Sequence, residues 1–214
     1  PPTRGVAAAP WWRQVEGADW RHPEGPQSDL DGRDDHPVVH VSWLDAAAFC
    51  RWSGTRLPTE AEWERAARGG LEHHHFPWGD DLEPEGAHRM NVFQGTFPSE
   101  DTGADGWRGT CPVGTFPPNG FGIHEMTGNV WEWCLDQYIP DFYANRPNPD
   151  PNPIAGAANL DEIINNFTDL TVRRVLRGGS WFSFTDYVRV AFRVRLYPDD
   201  RRYVVYGFRC VCAR

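Results

Sequence analysis

Three groups of side chains have types and spacings that could do chemistry, and one common group is missing. Glu60, Glu62 and Glu64 flank Trp63 as a carboxylate cluster, the arrangement general acid–base work uses. The structural explanation is that acids in the first turn of a capped helix complement its dipole, and that explanation suffices. His73, His74 and His75 could ligate a transition metal, but three consecutive side chains point in different directions. No ordered carboxylate follows at ligand spacing, so they read as a solvated loop. Cys50, Cys111, Cys134, Cys210 and Cys212 include no C-x-x-C pair, which argues against structural zinc. Their odd number leaves a free thiol unless chains pair, and the redox compartment stays open. All 21 basic residues are arginine. A lysine base, a Schiff-base lysine and a phosphate-loop lysine are therefore excluded.

The elements that must position these groups are few helices followed by many short strands. Ser42 with Asp45 predicts a capped helix through Ala46, Phe49 and Cys50 that ends at Gly54. Thr59 with Glu62 predicts a second, running to Arg68 and stopping at Gly69-Gly70. Residues 1–41 and 78–119 are rich in Gly and Pro and read as turns and long loops; bound metal is one way to hold such a loop. Asn129-Val-Trp-Glu-Trp133 suits a strand, residues 139–171 form an insertion with one helical turn near Leu160–Ile164, and Tyr206–Cys210 reads as a closing strand. Val188, Val190, Phe192, Val194 and Leu196 alternate with Arg189, Arg193 and Arg195, which predicts one continuous strand. The fold class is α+β with much irregular structure.

Length, aromatics and charge bound the function. The 214 residues fit one domain, and 11 Trp demand a packed core, which excludes a disordered or fibrous chain. There is no run of 18 apolar residues and no signal-peptide pattern, and a start at Pro1 reads as a processed form or a fragment. The net charge of −9 argues against nucleic acid as a partner. From Val172 to Arg214, ten Arg meet three Asp, a net of +7; before that, eleven Arg meet 27 acids, a net of −16. The arginines of the C-terminal part are expected to pair with acids of the body.

Five motifs in order resemble the formylglycine-generating, sulfatase-modifying family: His36-Pro-Val-Val-His-Val-Ser-Trp43, Arg56-Leu-Pro-Thr-Glu-Ala-Glu-Trp63, Gly128-Asn-Val-Trp-Glu-Trp133, Arg177-Gly-Gly-Ser-Trp181 and Gly207-Phe-Arg-Cys210. The resemblance covers nearly the whole chain and implies the family's variant of the C-type lectin fold, over residues 1–214 as a single domain with the family's opening strand missing. It also implies a copper ion held by two cysteines just after the Gly-Gly-Ser motif. Ser183 and Val188 stand at those positions, and neither can replace a thiolate toward Cu(I). The chain is therefore expected to hold no copper and not to be an enzyme.

The C-terminal stretch, residues 177–210, is also similar to the variable region of proteins diversified by retroelements, which scatter AAC codons to codons ending in C. The resemblance implies 17 diversified positions: Phe182, Ser183, Phe184, Thr185, Asp186, Tyr187, Phe192, Val194, Arg195, Leu196, Tyr197, Asp200, Arg202, Tyr203, Val204, Val205 and Tyr206. None is Glu, Gln, Met or Trp, which such codons cannot give, and seven are Phe or Tyr, which suits a paratope. These side chains are expected to share one exposed face above buried Trp181, Val190 and Phe208, with Arg189, Arg193 and Arg209 paired to the acidic body.

The family resemblance further implies structural calcium at two places: Asn91, Val92, Asp105 and Trp107, and Glu125, Gly128, Val130 and Glu132. Hard oxygens on irregular backbone suit Ca²⁺ better than Zn²⁺. Cys50 and Cys210 match family positions that can form a disulfide, and a buried pair of free thiols is the competing reading. The function expected is a ligand-binding, receptor-like variable protein. It would be monomeric and membrane-free, with an unknown protein or surface ligand as partner. An enzyme of the superfamily with different oxidative chemistry, or a plain structural module, are the alternatives.

Overall fold

Two capping boxes define the main helices of the computed structural model, which describes residues 3–7, 9–145, 152–165, 170–201 and 203–212. The Ser42 hydroxyl accepts the Asp45 N–H at 3.0 Å while the Asp45 carboxylate accepts the Ser42 N–H at 2.9 Å. This closes the first turn of α1, Trp43–Ser53, which ends at Gly54 with φ 70°. Thr59 and Glu62 exchange the same two bonds at the start of α2, Glu60–Arg68, and Gly69 ends it in the left-handed region. Both helices match the sequence reading to the residue.

The strands are short. β1 (Thr3–Val6) and β2 (Ala9–Val15) form an antiparallel hairpin inside the segment read as turns. β3 (Thr55–Arg56) joins the two helices. β4 (Gly95–Thr96) and β5 (Glu100–Asp101) make a small hairpin in the long loop. β6 (Trp131–Gln137), β7 (Arg174–Arg177), β8 (Val194–Leu196) and β9 (Tyr206–Gly207) form the central sheet in the order β8-β7-β6-β9, parallel only between β6 and β9. β10 (Val211–Cys212) pairs with β3, and α3 (Leu160–Asn165) lies in the insertion. No helix among the described residues is long and apolar enough to cross a membrane.

β6 is the wall between two cores. Its odd residues Trp131, Trp133 and Leu135 pack with Trp43, Leu57, Leu176 and Tyr206. Side chains alternate along a strand, so Cys134 turns to the other face, where Trp63, Val175 and Val190 lie. Glu132 and Asp136 share that parity, and both are buried. One face of the sheet is thus conventionally apolar, and the other carries buried charge that must be paired.

Residues 188–196 correct the expectation of one long strand. After turns in which the N–H of Ser183 and Tyr187 donate to the carbonyls of Ser180 and Phe184, the chain turns again where the Phe192 N–H donates to the Arg189 carbonyl, and only Val194–Leu196 is a strand. Val188 enters a separate cluster with Phe76, Met90 and Val92 while Val190 faces Trp63, so their spacing reports two burial sites rather than one strand face. Gly178 and Gly179 begin this course with φ of 95° and 79°, and a Cβ on Gly179 would run into Val188. The closing strand is also split, into β9 and β10. Trp181 and Phe208 are half-buried rather than buried.

Candidate functional site

The C-terminal stretch is fixed to the body by three arginines, as the charge imbalance suggested. Arg177 on β7 gives one Nη to Glu60 and the other to Glu64 (2.6 Å) and to the Val190 carbonyl (2.6 Å). Arg193 grips Glu60 from the other side through Nε (2.6 Å) and Nη2 (2.7 Å). Arg209 forks onto Glu132 at 2.6 Å by both bonds, and Trp63 Nε1 donates to the same carboxylate at 2.6 Å. Arg189 differs from expectation: it is exposed and donates to the Asp186 carbonyl. Burial pulls the Arg177 and Arg209 guanidiniums down, but the facing glutamates outweigh it and hold both above the ordinary arginine value. Glu60 is completely buried, so helix-dipole complementarity alone does not account for it. Its arginine partners lie more than a hundred residues away, where no local pattern points to them. Nearby Asp136 accepts the N–H groups of Glu60 and Ala155, and burial pushes it up to about 6.

The positions that the resemblance implies to be diversified fall, among the described residues, into three classes of exposure. Phe184, Thr185, Asp186, Tyr187, Arg195 and Tyr197 are exposed. Phe182, Phe192, Val194, Leu196, Asp200, Tyr203 and Val204 are half-buried. Ser183, Val205 and Tyr206 are buried, which corrects the expectation of a wholly exposed set; Val205 and Tyr206 belong to the main core beside Trp131 and Trp133. Arg202 lies outside the described residues. One run of rings joins many of the rest. Phe182 and Phe184 meet Phe97 at 5.0 and 4.7 Å, Tyr187 meets Phe184 at 6.1 Å, and Phe192 meets Tyr187 at 5.0 Å. Trp12 extends the run by touching Phe182 at 5.3 Å and Tyr203 at 5.1 Å. The sequence reading missed Trp12 and Phe97. The Trp11-Trp12 pair in a turn-rich segment was the one available signal.

Among the described residues no three His, Cys, Asp or Glu side chains converge to hold a metal, so an ion here would rest largely on carbonyl and amide oxygens. At the first place implied for calcium, Asp105 accepts the N–H of Val92 and of Trp107, both at 3.0 Å, and Asn91 donates to the Gly109 carbonyl at 2.8 Å. Burial raises Asp105 above the usual carboxylate range. At the second, Glu125, Val130 and Glu132 line a cavity of about 260 Å³ that Arg209 also enters. Arg209 already neutralises Glu132 and donates to the Glu125 carbonyl at 3.1 Å, and the Glu125 carboxylate accepts the N–H of Gly114 and Phe116. Gly128 crosses closely over Asn91, whose carbonyl accepts the Asn129 N–H at 2.9 Å. The histidine run does find a carboxylate, contrary to the sequence reading: His74 Nδ1 lies 3.0 Å from Asp80 and the His75 N–H donates to it at 2.9 Å. The Sγ atoms of Cys50 and Cys210 are 3.4 Å apart, and burial together with Cys210 pushes the Cys50 thiol up to about 12.

The profile of the sulfatase-modifying factor enzyme 1-like domain matches residues 3–214. The chain belongs to that family. It is 50% identical over 209 residues to a formylglycine-generating enzyme of Streptomyces coelicolor, covering 96% of this chain and 62% of that one. It is 41% identical over 214 residues to the inactive C-alpha-formylglycine-generating enzyme 2 of Bos taurus, covering 97% and 60%. The chain thus spans about three fifths of the length of these relatives. Among solved structures, PvdO from Pseudomonas aeruginosa superposes with a TM-score of 0.64 at 27% identity, over 87% of this chain and 63% of that one. Treponema denticola variable protein 1 superposes with a TM-score of 0.64 at 24% identity, over 92% and 81%, and shares the fold.

Family membership corrects the expectation that the chain is not an enzyme. Relatives 44–50% identical to it are named as enzymes of formylglycine generation. Two replaced side chains report on one metal site, while the rest of the framework is shared with those enzymes. The family's copper is a separate matter, and here the residues do not fit it. The Ser183 hydroxyl accepts the Ser180 N–H at 3.0 Å, and Val188 is sealed in its apolar cluster, so neither position offers a soft thiolate.

Proposed function

We propose that the chain is a polypeptide-binding member of the family whose C-terminal surface is variable, of the kind a diversity-generating retroelement rewrites. The observation that carries the reading is the ring run from Phe97 through Phe182, Phe184 and Tyr187 to Phe192, half-buried at its base and exposed at Phe184 and Tyr187. Rigid rings offer contact area with little rotamer entropy to lose, and an exposed apolar patch of this extent is the mark of an interaction site. Calcium belongs to the same proposal. Asn91, Val92, Asp105 and Trp107 supply hard oxygens, and a cation beside Asp105 would relieve the burial that now raises it. Arg209 leaves the second place, at Glu125, Gly128, Val130 and Glu132, with weaker support.

The test is to pan a phage-displayed random peptide library against the chain and against a variant with Phe184→Ser and Tyr187→Ser. Peptides that bind the parent and lose the variant support the reading; peptides that bind both equally reject it. A near-copy of the last hundred or so bases, differing only where the copy has adenine, should lie downstream of the gene. The relatives' names favour a second reading, in which the bound polypeptide is also a substrate. A mass change in a selected peptide after incubation with the chain separates that reading from binding alone.

A further inference from the structure

The diversified positions are split between the two faces of β8. Val194 and Leu196 point into the main core, while Arg195 and Tyr197 are exposed on the other face. There the Arg195 guanidinium lies over Tyr138 at 5.0 Å, and Arg173, just before β7, lies over Tyr197 at 5.0 Å. The register pairs Val175 with Arg195 and Arg174 with Leu196, so Arg173 follows on the same face. Both guanidiniums are exposed, and among the described residues neither is in an ion pair, whereas Arg177, Arg193 and Arg209 are all bound to glutamates. A guanidinium lying on a ring keeps its in-plane N–H edge free, which is the geometry that receives a carboxylate in two bonds. Among the described residues β8 is also an edge strand, with β7 as its one neighbour.

We infer that β8 receives an acidic polypeptide as an added strand, its carboxylates meeting Arg195 and Arg173. This rests on the binding reading above and names its partner class. An added strand repeats its side chains every second residue, about 7 Å apart, the same period that places Arg195 and Tyr197 on one face of β8. Charge complementarity supplies the sign. A nucleic acid is the other polyanion, but it has no peptide backbone that can register with a sheet edge.

The experiment measures fluorescence anisotropy of a labelled peptide of four Asp-Val repeats at low salt. Its controls are the Asn-Val counterpart, an Asp-Val peptide N-methylated at alternate residues, and an eight-nucleotide dT strand. The Asp-Val peptide should bind at least about tenfold more tightly than either peptide control, as charge-assisted bonds and strand pairing require. Arg195→Gln and Arg173→Gln should each weaken it about three- to tenfold without moving the melting temperature, since both side chains are exposed. Loss of the selected library peptides in the Phe184→Ser, Tyr187→Ser variant reports on the aromatic surface separately, because that result does not depend on whether the Asp-Val peptide responds to Arg195→Gln and Arg173→Gln. Equal binding of the Asn-Val or N-methylated peptide, or tighter binding of dT, overturns the inference.

Discussion

Replacing Phe184, Tyr187 and Tyr197 together by Ser separates surface from core. Their exposures are 44%, 43% and 45%, against 9% for Tyr206. Full burial of a large apolar side chain is worth about 1.5–3 kcal/mol, so each of these exposed rings, with part of its surface still covered, contributes roughly 1 kcal/mol and the three together about 3. Phe184 and Tyr187 touch at 6.1 Å, so their losses overlap rather than add fully. That total lies below the roughly 5–15 kcal/mol that holds a domain together, and the triple variant should fold and unfold cooperatively. Tyr206→Ser alone should cost more, about 3–5 kcal/mol, because the ring fills a closed space against Trp133 at 6.0 Å and Tyr203 at 5.0 Å. Urea unfolding followed by tryptophan fluorescence reads both variants on one scale. The reasoning fails if the triple variant loses more stability than Tyr206→Ser. It also fails if the triple variant retains the library peptides selected on the parent.

Glu60→Gln should cost about 3–5 kcal/mol, since Arg177 and Arg193 would both lose a buried partner; a midpoint within error of the parent would refute the buried network. Asp136 carries a pH signature. Its folded value of about 6 stands above the ordinary 3.8, so its stabilising contribution is complete below the lower value and is lost as pH rises through the upper. Between pH 4 and 7 the parent should therefore lose roughly 2.4 kcal/mol relative to Asp136→Asn, and parallel stability curves would reject the assignment. Chelating calcium should lower the melting temperature, by the equivalent of about 2.7 kcal/mol where the free ion stood at a hundred times its dissociation constant. An unchanged melt in chelator, with no metal by elemental analysis, removes the calcium proposal.

What the sequence made legible was what depends on near neighbours. Ser42 with Asp45 and Thr59 with Glu62 are three residues apart, Gly54 and Gly69 stop their helices locally, and all of them stand where the pattern placed them. The gross charge imbalance also carried information, because arginines that abundant beside an acidic body had to meet acids somewhere. It could not say which. Glu60 is 117 residues from Arg177 and 133 from Arg193, so its burial between them is a product of the sheet, not of any local motif. The same limit explains the missed turns at 183–192. Val188 and Val190 have strand spacing, but each is buried in a different cluster, and an alternating pattern cannot tell one neighbour from two. The step from two replaced side chains to absence of enzymatic function failed for another reason: it asked one site to speak for a whole family.

The division between frame and surface follows from where the charges sit. Arg177, Arg193 and Arg209 tie the C-terminal stretch to α2 and β6 through Glu60, Glu64 and Glu132, and none of these residues is among the 17 positions proposed as diversified. The bonds that hold the stretch in place are therefore indifferent to what stands at Phe184, Tyr187, Arg195 or Tyr197. Val205 and Tyr206 are different. The Val205 carbonyl accepts the Trp131 N–H at 2.8 Å, which joins the end of the C-terminal stretch to the parallel ladder of β6 and β9, and both side chains lie in the main core. A charged residue at either would be buried without a partner, at a cost of several kcal/mol per ion. On the proposed reading, rewriting at these two positions would act on folding before it acted on recognition, so the freedom of the surface would end where the last strand enters the sheet.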